Sequence, residues 1–377
     1  MTFLAVTFLI FLSYAVLILG ITIGWWKLKS FKTNELKPGV KVSVIVAMRN
    51  ENENVESLIN SLVAQDYPSE FLEIILVDDH STDSTALLVE ELIARKNNSV
   101  NLKLISLHDE KTSGKKAAIH QGIQASTGEL ILITDADCAA GYHWISTVCE
   151  FYKLHHPKMI LGPVSLSDGG SFFGKLQAIE FMSLIASAAG SCNAGFPILA
   201  NGANIAFTRQ AYESCGGFSG NLQYPSGDDM FLMMSVKKKF GAKSIRFLRS
   251  DDAIVNTAAI QQLKPFIRQR MRWVSKSRGY TDKILILTSG LVFAVNAWLV
   301  LTALSALLFP GNLKLFLILF LVKLIIDFPI MISFSRFQRK MRLLWLFPVL
   351  ELINSVYTFF IGIAGNMNKY EWKGRKI

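Results

Sequence analysis

Two stretches of this chain carry no charged residue at all: residues 2–26 and 284–309. Each exceeds the roughly 20 residues that cross a hydrocarbon core as a helix, so each is expected to span a membrane. Residues 315–334 and 343–367 are also apolar, but the first contains Lys323 and Asp327 and the second Glu351. Ionisable groups at membrane depth are costly and usually paired. Lys323 and Asp327 stand four apart, which predicts an intrahelical ion pair. Glu351 has no partner by sequence and is left facing the bundle, an acceptor headgroup or the interface. Only 18% of the 377 residues are charged and mean hydropathy is +0.35, too apolar for an ordinary soluble protein.

The N-terminal stretch has no basic start, too long an apolar core for a signal peptide, and no small-residue cleavage site. It therefore reads as an uncleaved anchor, with Trp25-Trp26-Lys27 as an interfacial stop. Net charge is +10. The positive charge sits beside the apolar stretches: Lys27, Lys29 and Lys32, then Lys264 to Arg278, then Arg336 to Arg342. That placement fits cytoplasmic loops and anionic headgroups better than nucleic acid. Cys138, Cys149, Cys192 and Cys215 show no paired or metal-binding spacing, so reduced thiols and no zinc site are expected.

Between the first two apolar stretches, strand and helix signals alternate. Strands are expected at Val42–Ala47, Ile74–Val77, Leu102–Ser106, Leu130–Ile133 and Met159–Val164, with helices such as Val55–Ala64 and Ala86–Arg95 between them. Alternation of this kind predicts an α/β domain with a mainly parallel sheet and right-handed crossovers. The expected organisation is an anchor over 1–26, a linker over 27–40 and a cytoplasmic catalytic domain over 41–255. Amphipathic interfacial helices over 256–283, a membrane region over 284–367 and a basic tail over 368–377 follow. Within the interfacial segment, over Lys264 to Arg278, Phe266, Ile267, Met271, Trp273 and Val274 interleave with six Lys/Arg and no acid.

Four clusters punctuate this frame: Val77-Asp78-Asp79, Thr134-Asp135-Ala136-Asp137, Gly227-Asp228-Asp229 and Gln269-Arg270-Met271-Arg272-Trp273. The first two follow apolar strand signals. Carboxylates at the carboxyl ends of parallel strands face the crevice where open α/β sheets bind ligands. There they can hold a nucleotide, or a hard cation bridging its diphosphate. On a helix, Gln269, Arg272 and Trp273 share one face.

In this order, the four clusters resemble those of the membrane-bound family 2 glycosyltransferases, which include polysaccharide synthases and ceramide glucosyltransferase. The resemblance covers about residues 41–275 and implies a GT-A fold, with a nucleotide-binding half over about 41–140 and an acceptor half over 141–255. It implies that Ala47 (where relatives commonly have Pro), Arg49, Glu51, Asp78, Asp79, Lys115 and Asp135 contact the donor. Asp137, with Asp135 beside it, would hold Mg²⁺ or Mn²⁺, whose positive charge would offset the negative charge developing on the leaving diphosphate. His120 stands where relatives have Asn. Asp229 falls on the family's general base, with Asp228 in place of a Glu in support. A carboxylate there would take the proton of an acceptor hydroxyl as it attacks the anomeric carbon, inverting its configuration. Asn201, Gly202, Gln269, Arg272 and Trp273 would meet acceptor and diphosphate.

The resulting expectation is an inverting hexosyl- or N-acetylhexosaminyltransferase at the inner membrane. It would move sugar from a nucleoside diphosphate donor to a lipid or lipid-linked acceptor. A processive polysaccharide synthase with the same residues is the alternative. About four spans are few to enclose a polymer channel, which favours the lipid product. A non-catalytic scaffold would be expected to have lost Asp137 or Asp229, and both are present. The tail resembles one seen in some relatives. Its four basic residues, with Pro348, Glu351 and Gly365 in the segment before it, predict that 343–367 re-enters or lies at the interface and returns the tail to the cytoplasm.

Overall fold

The computed structural model describes residues 2–33, 39–95, 100–108, 113–221, 227–365, 371–372 and 375–376. The linker's Lys37 and Pro38, Ser226 beside the third acidic cluster, and the tail's Lys373, Gly374 and Ile377 lie outside these residues.

The chain opens with helix α1 (Thr2–Lys27), then enters the α/β domain through β1 (Val42–Met48), α2 (Val55–Val63), β2 (Leu72–Asp78), α3 (Thr85–Arg95), β3 (Asn101–Ser106), α4 (Lys115–Ala125) and β4 (Leu130–Ile133). It continues through β5 (Cys138–Ala140), α5 (Trp144–His155), β6 (Met159–Leu161), β7 (Val164–Ser167), α6 (Phe172–Asn193), β8 (Ile205–Thr208) and α7 (Arg209–Ser214). After α8 (Asp228–Phe240), β9 (Ile245–Phe247) and β10 (Val255–Ala258) come α9 (Leu263–Ser275), α10 (Lys283–Leu308), α11 (Leu313–Phe337) and α12 (Phe347–Ala364). Two-residue strands Glu371–Trp372 and Arg375–Lys376 pair at the end.

Seven strands form the main sheet in the order β3-β2-β1-β4-β8-β6-β9. β3, β2, β1 and β4 run parallel, whereas β8 is antiparallel to both neighbours. Every residue of β2 and β4 is buried, as expected of strands covered on both faces by helices. A second sheet orders β5-β10-β7. β10 runs through the expected domain boundary at 255 and ties both halves together.

The single strand expected over Met159–Val164 is in fact two. Pro163, which has no N–H to donate, separates β6 in the main sheet from β7 in the second. Gly162 fits there because the Asn204 side chain lies where a Cβ would stand, at 2.3 Å. Asn204 Nδ2 donates to the carbonyls of Pro163 and Ala253, both at 2.8 Å, which fixes the crossing.

Four helical segments, Phe3–Lys27, Lys283–Leu308, Pro310–Phe337 and Met341–Ala364, are long and apolar enough to cross a membrane. The domain meets them through α6. Where α1 crosses α6 the backbones nearly touch, since a Cβ on Gly24 would lie 2.1 Å from the Gly190 carbonyl oxygen. Trp25, expected at the membrane interface, is instead fully buried. It donates to Ser333 Oγ at 2.9 Å and lies under the Arg249 guanidinium at 4.1 Å. The neighbouring Trp26 is the exposed one. Lys323 pairs with Asp327 at 2.8 Å, as the spacing predicts. Glu351 is not unpartnered: α12 brings it onto the same Lys323 ammonium, and Tyr14 of α1 donates to Asp327 at 2.8 Å. A partner on another helix could not be read from local spacing.

Candidate active site

The topology brings the acidic clusters to one edge. β1, β2 and β4 are parallel, so Arg49 and Glu51, Asp78 and Asp79, and Asp135 and Asp137 all follow the same ends of their strands. β8 runs the other way, so Asn201 and Gly202, just before it, arrive at that edge too. Lys115 opens α4 and Asp228 opens α8, which places both at helix N-termini, where the dipole favours the acids of α8.

Lys115 is the hub. Its Nζ donates to Asp135 Oδ1 at 2.5 Å and lies 3.7 Å from Asp228 Oδ2. Burial opposes its charge, but Asp135 and Asp228 outweigh that and hold the ammonium well above its usual range. Gly202 leaves room for this contact, since a Cβ there would meet Lys115 Nζ at 3.3 Å and Asp228 Oδ2 at 3.4 Å.

The two acids of α8 are pushed apart. Burial, with Asp229 and Asp135 adding repulsion, raises the Asp228 carboxyl although Lys115 opposes. For Asp229 the same burial is overcome. Lys276 lies 3.4 Å from Oδ1, Lys115 is near, and the N–H groups of Met230 and Gly202 donate at 2.7 and 3.1 Å, so its carboxyl falls below the usual range. Gly227, at φ +87°, lets the chain pass under Lys276, where a Cβ would meet Cδ at 2.9 Å. A carboxylate held below the usual range beside one pushed above it is an arrangement suited to proton transfer.

The Asp135, Asp137 and Cys138 side chains bring one ligand atom each within 4.8 Å of one another. Cys138 is buried, and burial plus the two carboxylates keep its thiol protonated, so it offers no thiolate. The donors that remain are carboxylate oxygens, which suit Mg²⁺ or Mn²⁺ rather than zinc. Asp137 keeps an exposed surface although protein crowds round it. That desolvation, then Asp135 and Glu51, push its carboxyl up to about 6. A cation would relieve the repulsion.

At the end of β2, Asp78 Oδ2 accepts from Ser81 N at 3.1 Å, while its buried Oδ1 has no hydrogen-bond partner among the described residues. It is poised to accept from a ligand. Asp79 is used internally, accepting from Gly114 N at 3.0 Å, and Arg49 braces the Asp79 carbonyl at 2.7 Å. Ala47 pairs with Val77 inside the sheet. Asp83 caps α3 by accepting from Thr85 N at 3.0 Å. His120 reaches the Tyr212 hydroxyl at 2.9 Å, a packing contact.

In the fourth cluster, Arg270 is the buried member. It grips Glu180 of α6 through two bonds at 2.7 and 3.1 Å, donates to Gln269 Oε1, and lies between the rings of Phe266 and Trp273. Trp273 thus packs on its own helix, and Arg272 carries no side-chain partner among the described residues. Sequence reasoning missed Lys276 and the Arg270–Glu180 pair. A basic run conceals the first, and the second joins residues ninety apart.

Residues 6–377 match the family model described as Glycosyl transferase family 21. The chain belongs to that family. The resemblance drawn from the four clusters therefore holds, and the fold is GT-A. Among solved structures, a mannosyltransferase from Pyrobaculum calidifontis in complex with GDP-Man and Mn²⁺ superposes with a TM-score of 0.63, at 18% identity over 96% of both chains. Among curated relatives, the poly-β-1,6-N-acetyl-D-glucosamine synthase of Staphylococcus epidermidis is 31% identical over 150 residues. That of Staphylococcus aureus strain COL is 30% identical over 146. Each alignment covers 38% of this chain and 33% of the relative, so the match spans about a third of those synthases. The chain is thus a member of a glycosyltransferase family.

Proposed function

We propose that this family 21 member is an inverting, cation-dependent transferase embedded in the membrane with its catalytic domain on the cytoplasmic side. It moves one hexosyl or N-acetylhexosaminyl unit from a nucleoside diphosphate sugar to a lipid or lipid-linked acceptor. The observation that carries this reading is the divergence of Asp228 and Asp229 around Lys115, beside the Asp135–Asp137 pair. Asp229 is the base that takes the acceptor hydroxyl proton. Asp228 and Lys115 position it, and Lys115 also faces the diphosphate. Asp137 and Asp135 would hold Mg²⁺ or Mn²⁺, which supplies positive charge to the leaving diphosphate. Asp78 accepts from the base or ribose, with Ala47, Arg49, Glu51 and Asp79 on the donor side. Asn201, Gly202, Gln269, Arg272 and Trp273 form the acceptor and diphosphate side, with Arg272 offering a planar donor fork.

The basic stretches flanking α1 and α11 support the cytoplasmic placement. α12 touches domain-side elements at both ends. Leu343 and Trp345 before it share a cavity with Asp168 and Lys175, and a Cβ on Gly365 after it would meet Val274 of α9 at 2.9 Å. This supports a re-entrant or interfacial α12 and a cytoplasmic tail. The synthase relatives favour a second reading, processive polymer formation by the same residues.

The test is a donor screen on purified protein with nucleotide release as readout. One nucleoside diphosphate sugar should support release that rises with added lipid acceptor. No release from any such donor would contradict the proposal. Products longer than one sugar unit would favour the processive reading. Resistance to alkaline carbonate extraction tests the membrane placement separately.

A further inference from the structure

A cavity of about 660 Å³ opens where the second sheet meets the turn between α11 and α12, outside the cluster assigned to catalysis. Its lining carries four cations, Lys175, Arg339, Lys340 and Arg342, against one acid, Asp168, a net charge of +3. Two of the cations hold the walls together. Lys340 Nζ donates to the Leu166 carbonyl at 2.5 Å, and Arg339 pairs with Asp251 at 3.1 Å. Lys175 and Arg342 have no side-chain partner among the described residues. The same lining includes Trp345, which is 70% exposed.

The chemistry and the location agree. The cavity lies at the water end of the bundle, between the last turn of α11 and the first of α12, with the catalytic domain as its other wall. Unpaired cations there select a phosphate-bearing anion, and basic pockets at that level of a membrane protein bind lipid headgroups. An exposed indole beside them suits the headgroup layer, where one side of the ligand is apolar. A small free anion would gain nothing from it. We propose that this cavity binds the phosphate headgroup of an anionic phospholipid, with Lys175 and Arg342 contacting the phosphate and Trp345 the glycerol and acyl region. The assignment rests on the membrane placement given above. The occupant would sit on α6, the helix that also carries Glu180 and through it holds Arg270 of α9.

The experiment uses the full chain in nanodiscs or detergent, with phosphatidylglycerol, phosphatidylcholine and inorganic phosphate as probes. Native mass spectrometry or a fluorescent-lipid titration reads the binding. Wild type should prefer phosphatidylglycerol over phosphatidylcholine. K175Q/R342Q should cut phosphatidylglycerol affinity about 30-fold, the value for two cations near a surface. Arg336→Gln, which removes an exposed charge in the last turn of α11 outside the cavity, should leave the preference intact. Equal binding by wild type and the double variant would overturn the assignment. So would an equal loss in Arg336→Gln, which would show diffuse attraction rather than a site. Inorganic phosphate displacing the lipid at equal concentration would also overturn it, as a mark of a free-anion site. Carbonate extraction of membranes from the expressing cells reports membrane placement independently, so failure of that reading is distinguishable.

Discussion

The ammonium of Lys276 stands 3.4 Å from Oδ1 of Asp229, joining the end of α9 to the proposed catalytic base. With Lys115 it keeps a largely buried carboxylate ionised. Lys276→Met should let burial dominate and raise the carboxyl. A base works only when deprotonated, so the acid limb of kcat/KM should move to higher pH while the alkaline plateau is kept. Lys276→Arg should restore most of the limb. An unmoved limb with uniformly lower activity would show a merely structural role.

Metal removal gives the second expectation. Asp135 and Asp137 repel each other, and Lys115 is already shared between Asp135 and Asp228. Exhaustive chelation should abolish transfer, and Mg²⁺ or Mn²⁺ should restore it. Asp137→Asn should raise the cation concentration needed for half-activity. Full activity in chelator would remove the cation from the scheme.

Glu180 and Arg270 tie the fourth cluster to the domain. Glu180→Gln leaves Arg270 buried without its counter-charge, which should cost about 3–5 kcal/mol of stability. The double change Glu180→Leu with Arg270→Met should cost less, because no charge is then stranded. Thermal inactivation of the three proteins in one detergent measures this. A single variant as stable as wild type would show that the pair is not what seats α9.

Much of the site was legible because its acids follow short apolar strands. Leu72–Asp78 and Leu130–Ile133 are buried throughout, and a carboxylate just past such a strand has one place to go. What sequence reasoning missed depends on contacts between distant elements. Lys276 looked like one more cation in a basic run until the fold set it over Gly227. Trp25 looked interfacial until Arg249 and Ser333 closed over it. Glu351 finds Lys323 only because α12 packs on α11. Pro163 split a strand because Asn204, forty residues on, fixes the crossing.

The topology of α12 is open to a chemical test. A cysteine at Ile377 should resist a membrane-impermeant thiol reagent in intact cells and react after permeabilisation. Labelling from outside would show that the segment from Met341 to Ala364 crosses completely.

The most direct measurement is turnover by Asp229→Asn. The substitution keeps the size and most of the hydrogen bonds of the side chain but cannot accept a proton at neutral pH. With the donor identified by nucleotide release, kcat should fall by at least about 10²-fold while donor affinity stays within about twofold of wild type. Turnover near the wild-type rate would contradict the assignment of Asp229 as the base and move it to Asp228.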